Sequence, residues 1–261
     1  MMRLFLGYLV SVVYAVLRPR AKLVEKIEKK GYLPVVVHYL APGELDRILT
    51  YLSRRGLLRH LDLSFDDAWS TVLASVEVLE KHNVKARLFV SPGQILRGNV
   101  WTAEAEMLNV DSGIWRKWYV LDEKTRYGEL SRYGRIKKRT LLTKEQIIFL
   151  SKHPLISIEN HTWSHLSAIH RPADEVLEEI RRAQEELFVW TGRECQCLAW
   201  PFGRGNSELD ELVRKKFNLE VFYTDQGFER GRSRNMVRDG VTVRENISRI
   251  LCSWPKVGKT L

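Results

Sequence analysis

Leu63-Ser64-Phe65-Asp66-Asp67-Ala68-Trp69 is a short apolar run that ends in two adjacent carboxylates. Far downstream, Leu155-Ile156-Ser157-Ile158-Glu159 is a second β-rich run, and it leads through Asn160 into His161-Thr162-Trp163-Ser164-His165. Each run reads as a core strand that delivers polar residues at its carboxyl end, which is where barrel active sites are built. Two imidazoles in a His-x-x-x-His pattern can hold one divalent ion, and one carboxylate of the Asp66-Asp67 pair completes a facial set with a position left for water. Adjacent residues leaving a strand point in different directions, so one Asp binds the ion and the other stays near the water as base.

Working outward, Leu33-Pro34-Val35-Val36-Val37-His38-Tyr39 is a β-branched run between Gly31 and Pro42-Gly43, and it predicts the first core strand. Glu44 to Arg55 has apolar residues at helical spacing and stops at Gly56. The pattern then repeats: a strand at Leu61 to Phe65, a helix from about Ser70 to His82, and a strand at Ala86 to Ser91 ended by Pro92-Gly93. After Thr143, a plausible N-cap, come a helix to Lys152, the strand before Asn160, and a long amphipathic helix from Ala173 to Trp190. A strand at Cys197 to Trp200 stops at Pro201-Phe202-Gly203, and a helix at Leu209 to Phe217 precedes a strand at Glu220 to Thr224 that ends at Asp225. A last strand is expected around Val241 to Val243. Such alternation is the signature of a parallel sheet, open or closed into a barrel.

Between Ile95 and Thr140 the periodicity disappears, and Trp101, Trp115, Trp118, Tyr119, Tyr127 and Tyr133 lie among many Arg and Lys residues. This insertion reads as a cover over the substrate end: its rings can stack on sugars and its cations can meet phosphate or carboxylate. The competing reading is a small satellite core with a solvated basic face.

The chain has 261 residues, 44% apolar and 28% charged, which is a globular composition. Its 42 Lys and Arg against 32 Asp and Glu give a net charge of +10, which suits acidic neighbours such as anionic lipid or anionic glycan. No nucleic-acid motif is present and the cations are spread out, which argues against a nucleic-acid partner. The odd cysteine count, Cys195, Cys197 and Cys252, argues against a disulfide framework. Residues 1–30 form an apolar then basic segment, shorter in its apolar run than the roughly 20 residues a spanning helix needs. It is expected to be a helix on an anionic membrane surface, on the cytoplasmic face rather than exported, or packed on the barrel formed by 31–261. His60, His82 and His153 sit at element edges and are expected to be solvated.

Ser64-Phe65-Asp66-Asp67-Ala68, then His161-Thr162-Trp163-Ser164-His165, then Trp200-Pro201-Phe202-Gly203 resembles the polysaccharide deacetylase (NodB-homology, chitin-deacetylase-like esterase) family, over roughly Leu33 to Ile250. The resemblance implies an α/β fold, a distorted (β/α) barrel of the NodB-homology type, here with an amino-terminal apolar helix. It also implies a divalent metal, usually zinc, and hydrolysis of N-acetyl groups on an amino-sugar glycan or lipid-linked saccharide. By position, Asp66 matches the catalytic base, Asp67, His161 and His165 the metal ligands, and the Phe202 backbone N–H the oxyanion donor. The family's carboxyl-terminal Leu-x-His acid is missing, since no histidine follows His170. A subset similar to the biofilm poly-N-acetylglucosamine deacetylases carries a histidine on its first strand instead, and His38 fits that place as general acid. Trp163, Trp200, Asp225 and Trp115 are the candidate substrate contacts. Ala68 replaces the usual Gly after the aspartate pair, and Ala199 replaces the motif arginine. These departures leave a second reading, a catalytically inactive glycan-binding protein on the same fold.

Overall fold

The computed structural model describes Ile27, residues 31–224 and the backbone of residues 232–237. Seven parallel strands form its centre: β1 (Leu33–Val37), β2 (Leu61–Phe65), β3 (Ala86–Val90), β4 (Ile156–Asn160), β5 (Cys197–Ala199), β6 (Glu220–Thr224) and β7 (Arg232–Val237). They pair in chain order, and β7 returns to β1, so the sheet curls into a closed barrel. The strands β1, β2 and β3 are rich in Val, Leu and Phe and are largely buried, as expected of parallel strands covered by helices. The ring is weakest between β4 and β5, where Asn160 opposite Leu198 is the paired position and β5 spans only three residues.

Helices form where apolar residues recur at the helical period. The Pro42–Ser53 helix starts with Pro at its first turn and buries Leu45, Ile48, Leu49 and Leu52 against the barrel, each worth roughly 1.5–3 kcal/mol if fully withdrawn from water. The Ala173–Thr191 helix buries Val176, Ile180, Ala183, Leu187 and Trp190, and ends on Gly192 in the left-handed region (φ 67°). Thr143 and Gln146 form a reciprocal capping box that starts the Lys144–Leu150 helix. The opposite face of the strands closes on a small cluster of Phe89, Cys197, Ala199 and Phe222, and an Asp62–Arg87 ion pair joins β2 to β3. Cys195 and Cys197 are both buried free thiols, and burial pushes the Cys197 thiol up to about 12.

The insertion differs from expectation in being largely helical. Short helices at Trp101–Met107, Ser112–Trp115 and Glu123–Ser131 pack around Trp101, Ala105, Val110, Trp118 and Leu130 as a satellite core. The helical period was hidden because this core is built from a few large rings separated by charged residues, not from an aliphatic stripe. One histidine is placed differently from expectation: His82 is largely covered and held by Asp46, whereas His153 meets Glu80, and His60 meets Arg59 and the Gly31 carbonyl, at exposed contacts. Among the described residues no helix is long and apolar enough to cross a membrane. Apart from Ile27, which is buried in the main core, the expected amino-terminal helix lies outside the described residues. So do Asp225 and the strand expected at Val241 to Val243, and the seventh strand is Arg232–Val237.

Candidate active site

The site sits at the carboxyl ends of β1, β2, β4 and β5. Its chain turns are tight: Asp67 (φ 68°), Ala68 (φ 58°), Thr162 (φ 64°), His165 (φ 54°) and Phe202 (φ 60°) all occupy the left-handed region that non-glycine residues avoid. Such conformations cost on the order of 1–3 kcal/mol each and persist where the surroundings over-determine them. Ala68 therefore stands in a backbone position where glycine would be unstrained.

These turns bring Asp67, His161 and His165 together, with one ligand atom from each within 4.8 Å of the others. His165 Nε2 is 3.0 Å and His161 Nε2 3.4 Å from Asp67 Oδ1, and all three side chains are buried. His161 Nδ1 lies 2.8 Å from the Ala199 carbonyl oxygen. A carbonyl only accepts, so Nδ1 carries the hydrogen and Nε2 of the neutral ring presents a lone pair toward the Asp67 carboxylate. Two acceptors facing each other need a cation between them. Asp67 Oδ1 and His165 Nδ1 are buried without hydrogen-bond partners among the described residues, and the donor set of one carboxylate and two imidazoles suits a divalent ion. The residues fit the metal that the sequence implied.

Without an ion, a proton takes that place. Burial alone would raise the Asp67 carboxyl, but the His165 and His161 imidazoles hold it well below the ordinary carboxylate range. Burial also disfavours a charged His161, yet the neighbouring Asp67 and Asp66 carboxylates push its pKa up, while burial dominates at His165 and pushes it down.

Asp66 is buried beside this cluster and stands apart from it. Its carboxylate faces the half-buried His38 ring, with Nε2 to Oδ2 at 3.9 Å. Phe202 places its ring edge-on against His165, with centroids 4.5 Å apart, so the turn after β5 borders the ligands directly.

The insertion supports the ligand loop through residues whose role the sequence did not signal. Arg126 is fully buried and its guanidinium donates to the Ser164 carbonyl at 2.8 Å and to Ser164 Oγ at 3.1 Å. Trp101, under that guanidinium, donates its indole N–H to the His165 carbonyl at 3.1 Å. Ser91 Oγ donates to the His161 carbonyl at 2.7 Å, and Glu179 accepts the Ser164 backbone N–H at 2.7 Å. Burial raises the Glu179 carboxyl against that bond. A buried arginine in a charge-rich stretch has no local signal, because its partners are backbone carbonyls on another loop.

Two expected substrate contacts are placed otherwise. Trp200 is fully buried, and its indole N–H donates to Asp210 at 2.8 Å, so it anchors the Ser207–Phe217 helix. Trp163 is buried under the Arg182 guanidinium, 3.6 Å from the ring centroid. A Cβ on Gly93 would lie 2.8 Å from the Trp163 ring nitrogen and carbonyl oxygen, so glycine is required where the two loops cross. Trp115 is half-buried in the aromatic group with Trp101 and Tyr119.

A parallel barrel with this donor set and a separate carboxylate at its carboxyl ends has the framework of a hydrolase assisted by a divalent ion. Residues 58–221 match the family model described as polysaccharide deacetylase, and the chain belongs to that family. No curated protein sequence matches it. The fold resembles BC0361, a polysaccharide deacetylase from Bacillus cereus (14% identity, TM-score 0.56, covering 83% of this chain and 68% of that one). It also resembles the deacetylase PplD of Streptococcus pyogenes (16%, 0.55, 84% and 97%) and IcaB from Ammonifex degensii (17%, 0.55, 83% and 96%). At these identities the likeness is one of fold.

Proposed function

We propose that the protein is a metal-dependent N-deacetylase that hydrolyses the acetamide of an N-acetylated amino sugar, in a glycan or a lipid-linked saccharide. The observation that carries this reading is the division of the aspartate pair: Asp67 joins His161 and His165, while the Asp66 carboxylate lies 3.9 Å from His38 Nε2. A divalent ion at Asp67, His161 and His165, zinc in this reading, would supply Lewis-acid chemistry, acidifying water and polarising the acetyl carbonyl. The Ala199 carbonyl fixes the His161 tautomer that leaves Nε2 available to that ion. Asp66 accepts the proton of the attacking water. The Phe202 backbone N–H stabilises the negative charge that develops on the acetyl oxygen. His38 delivers a proton to the departing amine, so that acetate and the free amino sugar leave. The basic segment at 18–30 fits a substrate held at an anionic membrane surface on the cytoplasmic face, which co-sedimentation of the full chain with anionic vesicles tests.

The experiment is acetate release from N-acetylglucosamine oligomers by zinc-loaded protein, with metal content measured on the same samples. Wild type is expected to bind one ion and release acetate, and Asp66→Asn to bind the ion and release almost none. Full turnover in Asp66→Asn would overturn the reading. Ala199 in place of the motif arginine favours the second reading, a glycan-binding protein, which predicts saturable oligomer binding with no acetate from wild type.

A further inference from the structure

Beside the ligands runs a wall of rings that the mechanism does not use. Phe202 touches His165, Tyr119 stands edge-on to Phe202 at 4.7 Å between centroids, and Trp115 stands edge-on to Tyr119 at 6.0 Å. Two guanidiniums lie on this wall: Arg204 over Tyr119, 4.7 Å from its centroid, and Arg116 near Trp115 at 5.7 Å. Three nearby arginines do have carboxylate partners, Arg97 with Glu104, Arg171 with Glu175 and Arg182 with Glu123. Among the described residues Arg204 and Arg116 have no carboxylate within ion-pair distance. Burial pushes the Tyr119 phenol up while Arg204 and Arg116 pull it down, and Glu106 is the one carboxylate acting on it the other way.

A half-buried guanidinium 4.7 Å from a ring centroid, two residues beyond Phe202 and without a carboxylate partner among the described residues, is placed to receive a planar or tetrahedral oxyanion. We infer that Arg204, assisted by Arg116, is an anion subsite, and that the substrate is an N-acetylated sugar bearing a phosphate or carboxylate on the acetylated residue or its neighbour. The ring contacts place this charge only two side chains from His165, a reach that suits an adjoining substituent. This inference rests on the deacetylase reading above and narrows its substrate class.

The test compares acetate release from N-acetylglucosamine 1-phosphate, from an N-acetylated disaccharide containing a uronate, and from neutral diacetylchitobiose. The enzymes are wild type, Arg204→Met and Arg204→Lys. Wild type is expected to prefer one or both anionic substrates by about ten- to a hundredfold in kcat/KM, the worth of a charge-assisted hydrogen bond. Arg204→Met should remove that preference through KM and leave the neutral rate unchanged, and Arg204→Lys should keep part of it. Preference for the phosphate alone, or for the uronate alone, identifies the source of the charge. An indifferent wild type, or a Met variant that loses all substrates equally, overturns the subsite while leaving deacetylation intact. If nothing is hydrolysed, the deacetylase reading fails and calorimetry of N-acetylglucosamine 1-phosphate binding decides the subsite: affinity lost in Arg204→Met supports it, and absent or unchanged binding overturns it.

Discussion

His38 and Asp66 face each other because strand register places them on the same rung. Val37 pairs with Phe65 in the β1–β2 ladder, the Asp66 N–H donates to the Val37 carbonyl at 2.9 Å, and the next residues on each strand are the two side chains in question. The His38 side chain is 31% exposed and the Asp66 side chain 2%, so the histidine can exchange protons with solvent while the carboxylate is sealed.

His38→Gln is therefore expected to lower kcat on N-acetyl sugars by about 10²–10⁴-fold while leaving bound metal unchanged. The defect should shrink sharply on an aryl acetate ester, whose leaving group needs no proton. An equal loss on amide and ester would show that His38 acts by some other route than protonating the amine.

The two aspartates should separate cleanly. Asp67→Ala and His165→Ala should lose the ion on dialysis, whereas Asp66→Asn should retain it and lose about 10²–10⁴-fold in kcat. Metal analysis by mass spectrometry beside a turnover assay reads both. Retention of a tight ion by Asp67→Ala would remove it from the ligand set.

Arg126→Met should weaken metal binding by about 10–100-fold, the usual effect of losing a group that orients ligands. It strips the Ser164 carbonyl of its buried donor, which should cost about 1–3 kcal/mol of stability. Competition with a chelator gives the first quantity and thermal unfolding of the metal-free protein the second. Wild-type affinity in a destabilised variant would limit Arg126 to a structural part.

Glu159 gives a pH-dependent expectation. It is buried, and although the Gln196 and Cys197 N–H groups donate to it at 2.8 and 2.9 Å, burial raises its carboxyl above the ordinary value of 4.5. The folded state thus holds its proton more tightly than the unfolded chain, so stability falls as pH rises from 4.5 through the raised value. An amide oxygen can accept the same two bonds without charge. Glu159→Gln should gain on wild type as pH goes from about 4 to about 8, by on the order of a few degrees in Tm. A constant difference across that range would rule out the buried charge as the cause.

The strands were legible because β-branched runs such as Val35-Val36-Val37 are bounded by glycine and proline, and the grouping of Asp67 with His161 and His165 was legible because these residues follow the ends of such runs. What stayed hidden depends on contacts distant in sequence. The Trp200 indole could not be assigned from its motif, since its partner Asp210 lies a helical turn into the next element. His82 looked solvated because Asp46, which holds it, comes from another helix. The insertion gave no period because Trp101, Trp118 and Leu130 form its core from three separate segments.

The insertion leaves the barrel and returns to it at nearly one point, since the Thr140 and Leu141 N–H groups both donate to the Gly98 carbonyl. A segment with adjoining ends can be exchanged between relatives without disturbing the strands around it, which makes it a natural unit of evolutionary change in what the barrel accepts. This one is not freely exchangeable. Trp101 and Arg126 hold the carbonyls of His165 and Ser164, so any replacement must bring its own donors to that loop. A change made in the insertion is therefore also felt at the His161–His165 loop.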